Sequence, residues 1–325
     1  MCNVIIKGYH HNQEVYERYT ENEIFYLALN FTSSCHYGCL YCFVGLYDLN
    51  TKTRYDLSLD KRKMLLDEAK NLGAKTLVIP GRGEPFLDEN FWSTIEYAAK
   101  LGYWIVITTN GFHLNNEKIH RIRQLPISLY LKADSLDPSV YEKMVGIKDS
   151  YPVFRRNLEN LLNDFHRPEG VGNKIISRLG INSVVTKQTI DSIEDVYNFC
   201  REHFIFYTCR SPVKTGGSVG TWEYLVGSDV EKLQVIGNKY SSRPFTSATP
   251  KGQCGIYRFG VTVENNGDIY VCPDARENFQ PIGNVNHNSL SELIRIRNQK
   301  YPLNSESGYC FVKLHRNPEM LHEIS

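Results

Sequence analysis

Six short apolar segments recur at fairly regular intervals along the first two thirds of the chain, and amphipathic helical patterns separate them. The predicted strands are 23–30, 75–80, 103–108, 127–133, 175–185 and 204–209. The main predicted helices are 61–72, 91–101, 115–124, 153–165 and 193–202. Six strand-then-helix units with apolar strands predict an α/β fold, a parallel sheet curved into a partial, TIM-like (β/α)6 barrel. In such a fold, function lies at the carboxyl ends of the strands.

The pattern changes after Pro212, where residues 214–220 are rich in Gly and residues 241–252 in Ser, Thr and Pro. Beyond this stretch, an Asn-Asn-Gly turn at 265–267 between apolar runs predicts a β-hairpin, and a last helix is predicted at 289–298 with Ser289 as its N-cap. The predicted divisions are an N-terminal extension (1–22), the barrel (23–213), a linker (214–250) and a small C-terminal hairpin and helix domain (251–325).

Composition narrows the class of protein. The formal net charge of +1 gives no electrostatic reason to expect nucleic acid or an acidic membrane as a partner. No apolar run approaches the roughly 18 residues of a membrane span, and the N-terminus lacks the apolar core of a signal peptide. Nine scattered cysteines argue against a secreted disulfide framework. We therefore expect a cytoplasmic enzyme with a small or neutral partner.

Three cysteines, Cys35, Cys39 and Cys42, lie within eight residues directly after the first predicted strand. Zinc sites usually combine a CxxC pair with a matching second pair, and this loop has no second pair. A four-iron cluster held by three protein thiolates keeps one iron open for a small molecule. The spacing therefore favours iron and sulfur over zinc, with a fortuitous cysteine cluster as the alternative.

A glycine-containing loop, Gly81-Arg82-Gly83-Glu84, follows the second predicted strand. Glycine lets the backbone approach a ligand closely, and a lone carboxylate there can accept hydrogen bonds from a protonated amine. Alone, this sequence would also suit an ordinary surface turn.

The fourth predicted strand has an unusual face. Alternation places Ser128, Tyr130, Lys132 and Asp134 on the same side, and a parallel core should not bury a lysine without a partner. Lys132 and Asp134 are therefore candidate catalytic residues facing a ligand. The alternative is a structural ion pair at the rim of the barrel.

The CxxxCxxC motif with an aromatic residue before its last cysteine resembles that of the radical S-adenosylmethionine (radical SAM) superfamily. The resemblance implies a [4Fe–4S] cluster whose open iron binds S-adenosylmethionine (SAM). It also implies reductive cleavage of SAM to a 5′-deoxyadenosyl radical that removes a substrate hydrogen atom. A flavodoxin- or ferredoxin-type protein would be the reductant.

The same resemblance assigns cofactor-binding roles to further residues. Tyr41 would pack on adenine, although an ordinary core aromatic is the alternative, and Gly83 and Glu84 would hold the methionyl amino group. Here the chain departs from the family's Gly-Gly-Glu motif, because Arg82 is inserted and Gly81 aligns less well. The resemblance also assigns such roles to Asn110 in a Thr-Asn-Gly turn, for which an ordinary turn is the alternative, and to Ser135 beside Lys132 and Asp134. Separately, Arg178 and Asn182 lie four residues apart on the fifth predicted strand and so share a face, which makes them candidate contacts to the methionyl carboxylate and ribose of SAM.

The C-terminal region resembles the SPASM/twitch domain that binds an auxiliary iron–sulfur cluster, since 267–272 matches its GxxxxC pattern. Cys254, Cys272 and Cys310 would be the ligands. The usual final CxxC is missing, so Asp274 or His315 would be the fourth ligand, or one iron would stay open. A structural zinc site and unliganded buried cysteines are the alternatives.

The leading functional hypothesis is oxidation or epimerisation of a small hydroxylated or amino-bearing metabolite, with Cys209, or less well Cys200, as a hydrogen donor in epimerisation. A maturase of a ribosomally made peptide is the second hypothesis. It is disfavoured because only some 22 residues precede the barrel, too few for a separate peptide-recognition domain. A non-catalytic iron–sulfur or zinc protein is the third.

Overall fold

Strands and helices alternate along the computed structural model, which describes residues 3–9, 17, 19–20, 22–42, 44, 56–214, 216–241, 259–273 and 280–301. The strands are β1 (Asn3–Ile6), β2 (Tyr26–Leu29), β3 (Thr76–Ile79), β4 (Trp104–Thr109), β5 (Ile127–Lys132), β6 (Glu169–Val171), β7 (Lys174–Ser177), β8 (Leu179–Val184), β9 (Phe206–Arg210), β10 (Gly260–Val263), β11 (Asp268–Tyr270) and β12 (Gly283–Asn284). The helices are α1 (Leu59–Asn71), α2 (Phe91–Lys100), α3 (Asn116–Arg123), α4 (Pro138–Val145), α5 (Tyr151–Asp164), α6 (Ile193–Glu202), α7 (Ser218–Leu225), α8 (Val230–Tyr240) and α9 (Leu290–Lys300).

Nine of the described strands form one sheet, in the order β12-β11-β10-β2-β3-β4-β5-β8-β9. The six strands from β2 to β9 in this order run parallel to their neighbours. Helices follow each of them along the chain. The predicted α/β fold with six parallel barrel strands is confirmed.

The two faces of the barrel sheet have different surroundings. One set of strand residues, including Leu77, Ile107 and Leu131, packs with the helices in a large apolar core. The residues between them face the other way, into the barrel, and form a second cluster. Its members from the middle of the strands are Ala28, Val78, Val106, Tyr130 and Phe206.

Residues 3–9 close the amino-terminal end of this inner face, although they belong to the predicted N-terminal extension. β1 pairs in parallel with β7 in a separate sheet of order β1-β7-β6. Two inward-facing hydroxyls hold the turn after β1: Thr76 Oγ1 donates to Gly8 O at 3.0 Å, and Ser128 Oγ donates to Lys7 O at 2.8 Å. The start of the chain therefore contributes to the barrel's core.

The predicted strand 175–185 is two strands in the structure. β7 pairs with β1, whereas β8 pairs with β5. Between them, Ser177 Oγ donates to Leu179 O at 2.6 Å and accepts from Leu179 N at 3.0 Å, and Arg178 stands at the break. Apolar residues flank this break on both sides, and the two polar residues between them, Ser177 and Arg178, do not by themselves reveal the change of partner strand.

The predicted linker contains two helices, α7 and α8. The Gly-rich stretch supplies the turn that starts α7, where Ser218 Oγ donates to Val213 O at 2.5 Å. α8 packs on β9, so it completes the last strand-then-helix unit. None of the described helices is long and apolar enough to cross a membrane.

The predicted C-terminal hairpin is present, with β10 and β11 antiparallel. β10 also pairs in parallel with β2, so the hairpin extends the barrel's own sheet. α9 starts at the predicted cap, Ser289, and Arg297 on α9 donates to Gly260 O at 2.5 Å. The division of the chain at residue 251 stays a prediction.

Candidate cofactor-binding site

The three-cysteine loop follows β2 at the carboxyl edge of the barrel sheet. Two backbone hydrogen bonds attach it to the end of α4: Gly38 N donates to Val145 O at 2.9 Å, and Leu40 N donates to Met144 O at 3.0 Å. Gly146 follows α4 with φ of 72°, and a Cβ there would lie 2.9 Å from Gly38 O. Because this close approach needs glycine, α4 fixes the position of the loop.

The cysteine side chains of this loop are close enough that a negative charge on one raises the pKa of another. Burial is the main cause that raises the pKa of Cys35 to about 12, and a negative charge on Cys42 would raise it further. Burial and the charges of Cys35 and Cys42 likewise raise the pKa of Cys39. The thiols of Cys35 and Cys39 therefore stay protonated unless a metal replaces their protons.

This arrangement fits an iron–sulfur cluster. Within the part of the chain that the structure describes, no three His, Cys, Asp or Glu side chains are arranged to hold one metal ion. Ligands of a single zinc ion must all lie about 2.0–2.3 Å from it. The three thiolates of a four-iron cluster each bind a different iron, so they can lie farther apart.

The loop after β3 packs against the segment that precedes Cys35. A Cβ on Gly83 would lie 2.4 Å from Ser34 O, and Glu84 N donates to the same oxygen at 2.8 Å. Gly81 has φ of 76°, a conformation that favours glycine. Both glycines of the predicted motif are therefore needed to place Glu84 next to the cysteine loop.

Glu84 is a buried carboxylate, 1 % exposed, with three hydrogen bonds. Oε1 accepts from Thr109 Oγ1 at 2.7 Å and from Phe86 N at 3.3 Å, and Oε2 accepts from Asn110 N at 2.9 Å. Despite these bonds, burial raises the pKa of Glu84 to about 7. No cation forms an ion pair with Glu84 among the described residues. A ligand's ammonium group would supply the missing positive charge.

Asn110 connects Glu84 with the cysteine loop. Its backbone N–H binds Glu84, and its side-chain Nδ2 lies 4.0 Å from Cys35 Sγ. Its Oδ1 accepts from Phe112 N at 3.0 Å, which holds the side-chain amide in place. The turn after β4 therefore joins the two predicted parts of the site.

A second polar group lies at the end of β5. Lys132 Nζ donates to Asp134 Oδ1 at 2.7 Å, and the Tyr41 hydroxyl donates to the other oxygen of the same carboxylate. Val184 N also donates to Asp134 Oδ1, at 2.6 Å. Lys132 and Asp134 thus form an ion pair in which the Lys132 side chain is 16 % exposed and Asp134 is 2 % exposed.

The environment of Tyr41 restricts its predicted role. The Lys132 ammonium lies 4.6 Å from the centre of the Tyr41 ring and covers one ring face. Packing of adenine on Tyr41 stays a prediction, limited to the opposite face. The hydroxyl of Tyr41 instead ties the cysteine loop to Asp134 on the barrel.

Asn182 lies on the inner face next to Lys132. Its Oδ1 accepts from Thr208 Oγ1 at 3.4 Å, and its contact with a ligand stays a prediction. Ser135, in contrast, is fully buried: its hydroxyl donates to Ser192 Oγ at 3.0 Å and accepts from Asp137 N at 3.0 Å. The binding of the cofactor by Ser135 stays a prediction, and its hydroxyl already donates one hydrogen bond and accepts another within the fold.

Arg178 lies at the opposite end of the barrel from the cysteine loop. Its guanidinium donates to Leu125 O at 2.7 Å and to Ile127 O at 2.8 Å, next to the end of α3. The prediction that Arg178 contacts SAM is wrong. The break before β8 places this residue at the amino-terminal end of the strand, where it binds backbone carbonyls.

Cys209 faces the helices. Its Sγ donates to Gly237 O of α8 at 3.4 Å, and the side chain is 2 % exposed. Because strand residues alternate in direction, Phe206 and Thr208 face the interior and Cys209 does not. The predicted role of Cys209 as a hydrogen donor is wrong, and Cys200 on α6 is also buried in the helix-side core.

Sequence reasoning missed three residues of this site. Thr109 donates to Glu84, and its position next to Asn110 in the same turn could have indicated this. His36 Nδ1 lies 3.2 Å from His113 Nε2, and burial lowers the pKa of His36 to about 4. No local pattern connects these two histidines, which are 77 residues apart.

Of the three C-terminal cysteines predicted to bind a second cluster, the structure describes Cys272. It is buried and lies just after β11. Cys254, Cys310 and the alternative ligands Asp274 and His315 lie outside the described residues. The auxiliary site therefore stays a prediction.

Comparison with known proteins gives one family match and several relatives. The model of the Radical SAM superfamily matches residues 29–200, more than half of the chain. GTP 3′,8-cyclase of Haemophilus ducreyi is 30% identical over 166 residues, which are 50% of this chain and 45% of that protein. Mycofactocin maturase MftC of Mycolicibacterium smegmatis is 22% identical over 276 residues, 80% of this chain and 67% of that protein. The chain thus spans less than half the length of the cyclase.

Solved structures share the fold. The crystal structure of Streptococcus suis SuiB bound to S-adenosylmethionine matches with a TM-score of 0.62 and 16% identity. The match covers 91% of this chain and 75% of that chain. At this identity the likeness shows a common fold.

Proposed function

Because this chain belongs to the radical SAM superfamily, we propose that it is an enzyme that cleaves SAM reductively and removes a hydrogen atom from a small hydroxylated or amino-bearing substrate. The superfamily uses a [4Fe–4S] cluster with SAM, the cofactors that the cysteine motif predicts. The observation that carries the proposal is Glu84, a buried carboxylate next to the three-cysteine loop that forms no ion pair within the part of the chain that the structure describes.

The described residues have distinct tasks in this proposal. The cluster with its bound SAM supplies the 5′-deoxyadenosyl radical that takes the hydrogen atom. Cys35, Cys39 and Cys42 hold three irons, and Glu84 receives the amino group of SAM. Asn110 keeps Glu84 and Cys35 at a fixed separation through its two contacts. A flavodoxin- or ferredoxin-type protein supplies the electron.

Lys132 is the residue best placed to hold the substrate. An ammonium has three donor hydrogens, and Asp134 takes one of them at 2.7 Å. Asn182 O lies at 3.4 Å, a weaker contact. A hydrogen of Lys132 therefore remains for a substrate oxygen, while Asp134 fixes the direction of the ammonium group.

Oxidation fits the site better than epimerisation. Epimerisation needs a hydrogen donor to the substrate radical, and the candidates Cys200 and Cys209 both face helices. After the hydrogen atom has been removed, oxidation of an alcohol to a carbonyl instead releases one electron and the hydroxyl proton; the proton can pass to water, and the electron needs an acceptor. A second iron–sulfur cluster, proposed at Cys254, Cys272 and Cys310, would supply that acceptor.

A peptide maturase is the second candidate, supported by the alignment with MftC over 80% of this chain. An open polar pocket of about 850 Å³ lies between the start of α1 and the hairpin turn. Asp56, Lys61 and Asn266 are among its lining residues, and their charges and amides suit a peptide backbone. Loss of peptide turnover in Lys61→Met with unchanged SAM cleavage would favour this candidate.

The first test is 5′-deoxyadenosine formation by protein reconstituted anaerobically with iron and sulfide and reduced with dithionite. We expect wild-type protein to form the nucleoside and Glu84→Gln to lose at least about 100-fold of the activity. Glu96→Gln is the control, because Glu96 is an exposed partner of Arg121 on the surface. A fully loaded wild-type protein that forms no nucleoside would contradict both enzyme hypotheses.

The second test separates the substrate classes and the clusters. Deuterated polyols or amino sugars, and separately candidate peptides, are supplied, and deuterium in 5′-deoxyadenosine identifies the class. Lys132→Met should slow deuterium transfer from the true substrate.

The iron content of the reconstituted protein tests the number of clusters. About eight irons per chain would support two clusters, and about four would support only the first.

A further inference from the structure

Arg82 is the residue that interrupts the glycine motif, and its side chain has a specific partner. Arg82 Nη1 lies 2.7 Å from Glu264 Oε2, although the two residues are 182 positions apart. The ion pair is largely buried, with side-chain exposures of 11 % and 3 %. Glu264 directly follows β10, so this contact joins the Glu84 loop to the C-terminal hairpin.

Asn30 is the third member of this contact. Its Oδ1 accepts from Arg82 N at 3.2 Å, and its side chain also hydrogen-bonds with Glu264. Its backbone N donates to Val263 O at 2.9 Å. Asn30, Arg82 and Glu264, hereafter the junction, therefore meet at the carboxyl edge where β2, β3 and β10 end.

The junction connects three functional segments. Asn30 lies five residues before Cys35, and Arg82 lies two residues before Glu84. On the hairpin, Cys272 follows Glu264 by eight residues. The cysteine loop, the Glu84 loop and the hairpin are thus held together at one point.

We propose that the junction positions Glu84 for SAM, so that SAM affinity depends on Glu264 of the distant hairpin. This inference rests on the proposed function, in which Glu84 binds the amino group of SAM. Arg82 and Glu264 are positioning residues, since they act through the loop and do not touch the ligand in this scheme.

The physical reason is the cost of leaving a buried charge without a partner. Arg82 Nε is already buried without a hydrogen-bond partner among the described residues, so Glu264 is the group that compensates the guanidinium. Without Glu264, Arg82 would turn toward water and move the adjacent Gly83. Gly83 cannot move inward, because the space that a Cβ would occupy there is already filled by the backbone of Ser33 and Ser34. The loop would therefore shift outward and carry Glu84 away from the cysteine loop.

The experiment compares Glu264→Gln with a control on the same hairpin. Asn265 is the next residue, and its Nδ2 donates to Asp56 Oδ1 at 2.6 Å, which ties the hairpin turn to the barrel without touching the Glu84 loop. Asn265→Ala therefore loosens the hairpin but leaves the junction intact. Both variants are reconstituted as full-length holoenzyme, and thermal unfolding and iron content are measured first.

SAM binding is followed by electron paramagnetic resonance of the reduced cluster, because coordination of SAM changes the spectrum of the open iron. We expect Glu264→Gln to raise the SAM dissociation constant about tenfold, while Asn265→Ala changes it less than about twofold. Arg82→Lys, which keeps the charge, should restore part of the affinity lost in Arg82→Gln. Equal dissociation constants in wild-type protein and Glu264→Gln would overturn the proposal.

Hydrogen exchange gives a readout that does not need SAM. The Glu84 amide donates to Ser34 O at 2.8 Å, so its exchange reports on the position of the loop. We expect Glu264→Gln to speed exchange at residues 82–84 much more than Asn265→Ala does. If wild-type protein binds no SAM, the proposed function fails, and unchanged exchange in Glu264→Gln would separately refute the junction. Where Glu264→Gln folds poorly, Arg82→Gln is compared with the Arg82→Gln/Glu264→Gln double variant, which leaves no buried charge unpaired and should therefore recover part of the SAM affinity and of the exchange protection. A double variant no better than Arg82→Gln in both measurements would overturn the proposal.

Discussion

The two ends of the barrel are filled in different ways. At the amino-terminal end, residues 3–9 fill the interior, and the hydroxyls of Thr76 and Ser128 both have backbone partners there. At the carboxyl-terminal end, the interior holds two ion pairs, Arg82–Glu264 and Lys132–Asp134. Residues 3–9 therefore close the amino-terminal end, whereas paired charged side chains occupy the carboxyl-terminal end.

The carboxyl-terminal end also holds buried polar groups that are incompletely satisfied. At the carboxyl-terminal end, Arg82 Nε and His36 Nε2 are buried without hydrogen-bond partners, and Glu84 has no cation beside it in the described structure. Such groups lower stability unless a ligand satisfies them. We infer that the amino-terminal end of the barrel serves stability and the carboxyl-terminal end serves binding. Variants at matched positions in the two ends can test this division.

The largest effect is expected for Gly83→Ala at the carboxyl-terminal end. The new Cβ would lie 2.4 Å from Ser34 O and 2.8 Å from Thr32 O, both backbone atoms that cannot rotate away. Displacement of Glu84 by about 1 Å should lower the rate of 5′-deoxyadenosine formation at least about 100-fold. Gly220→Ala is the control, because nothing lies within 4 Å of its new Cβ. Full activity in Gly83→Ala would disprove the tight packing of this loop.

At the amino-terminal end, the matching change is Gly8→Ala. Gly8 has φ of 98°, and its new Cβ would lie 2.3 Å from Trp104 Cδ1. We expect a loss of about 2–4 kcal/mol in the free energy of unfolding in urea. The control Gly172→Ala has a φ of 59° but open space around it, so it should lose only about 1 kcal/mol. SAM affinity of the folded Gly8→Ala protein should stay unchanged, and a large change in affinity would contradict the division between the two ends.

The sequence predicted the carboxyl-terminal end better than the amino-terminal end. The strands, the cysteine loop and Glu84 depend on local patterns, namely apolar runs, motif spacing and the glycines before Glu84. The closure by residues 3–9 depends on the pairing of β1 with β7, which lie about 170 residues apart in register. The apolar run in β1, from Val4 to Ile6, is only three residues long, and such a short run does not specify its partner strand.

The errors at the site have a similar cause. Arg178 was assigned because it shares a strand face with Asn182, and Cys209 because it lies near a strand end. A break before β8 and the direction of the Cys209 side chain on β9 place both away from the interior. The assignment of Ser135 by resemblance stays a prediction, and its partner Ser192 lies 57 residues away. Hydrogen-bond partners that are distant in sequence decide these roles, so the motif alone does not reveal them.

A smaller effect is expected from pH at Glu84. Burial raises the pKa of Glu84 to about 7, so the carboxylate form that binds an ammonium grows as pH rises. SAM affinity should increase about five- to tenfold between about pH 6 and 7.5, measured by equilibrium dialysis. The stability of the SAM-free protein should change in the opposite direction, because the folded state holds this proton more tightly than the unfolded state does. Glu84→Gln should bind weakly at every pH, and a rise of affinity in this variant would assign the titration to another group.

The smallest effect is expected for Ser128→Ala, which shares β5 and its inner face with Lys132. Ser128 Oγ donates to Lys7 O at 2.8 Å and accepts from Trp104 Nε1 at 3.0 Å, so its loss leaves two partly buried partners without this hydrogen bond. We expect a loss of about 1–2 kcal/mol in the free energy of unfolding and no change in SAM affinity or deuterium transfer. Lys132→Met should have the opposite effect. Deuterium transfer should slow and the free energy of unfolding should change little, although Lys132 lies only four residues from Ser128 on the same strand. If both variants changed the same property, the two ends of the barrel would not be separate in function.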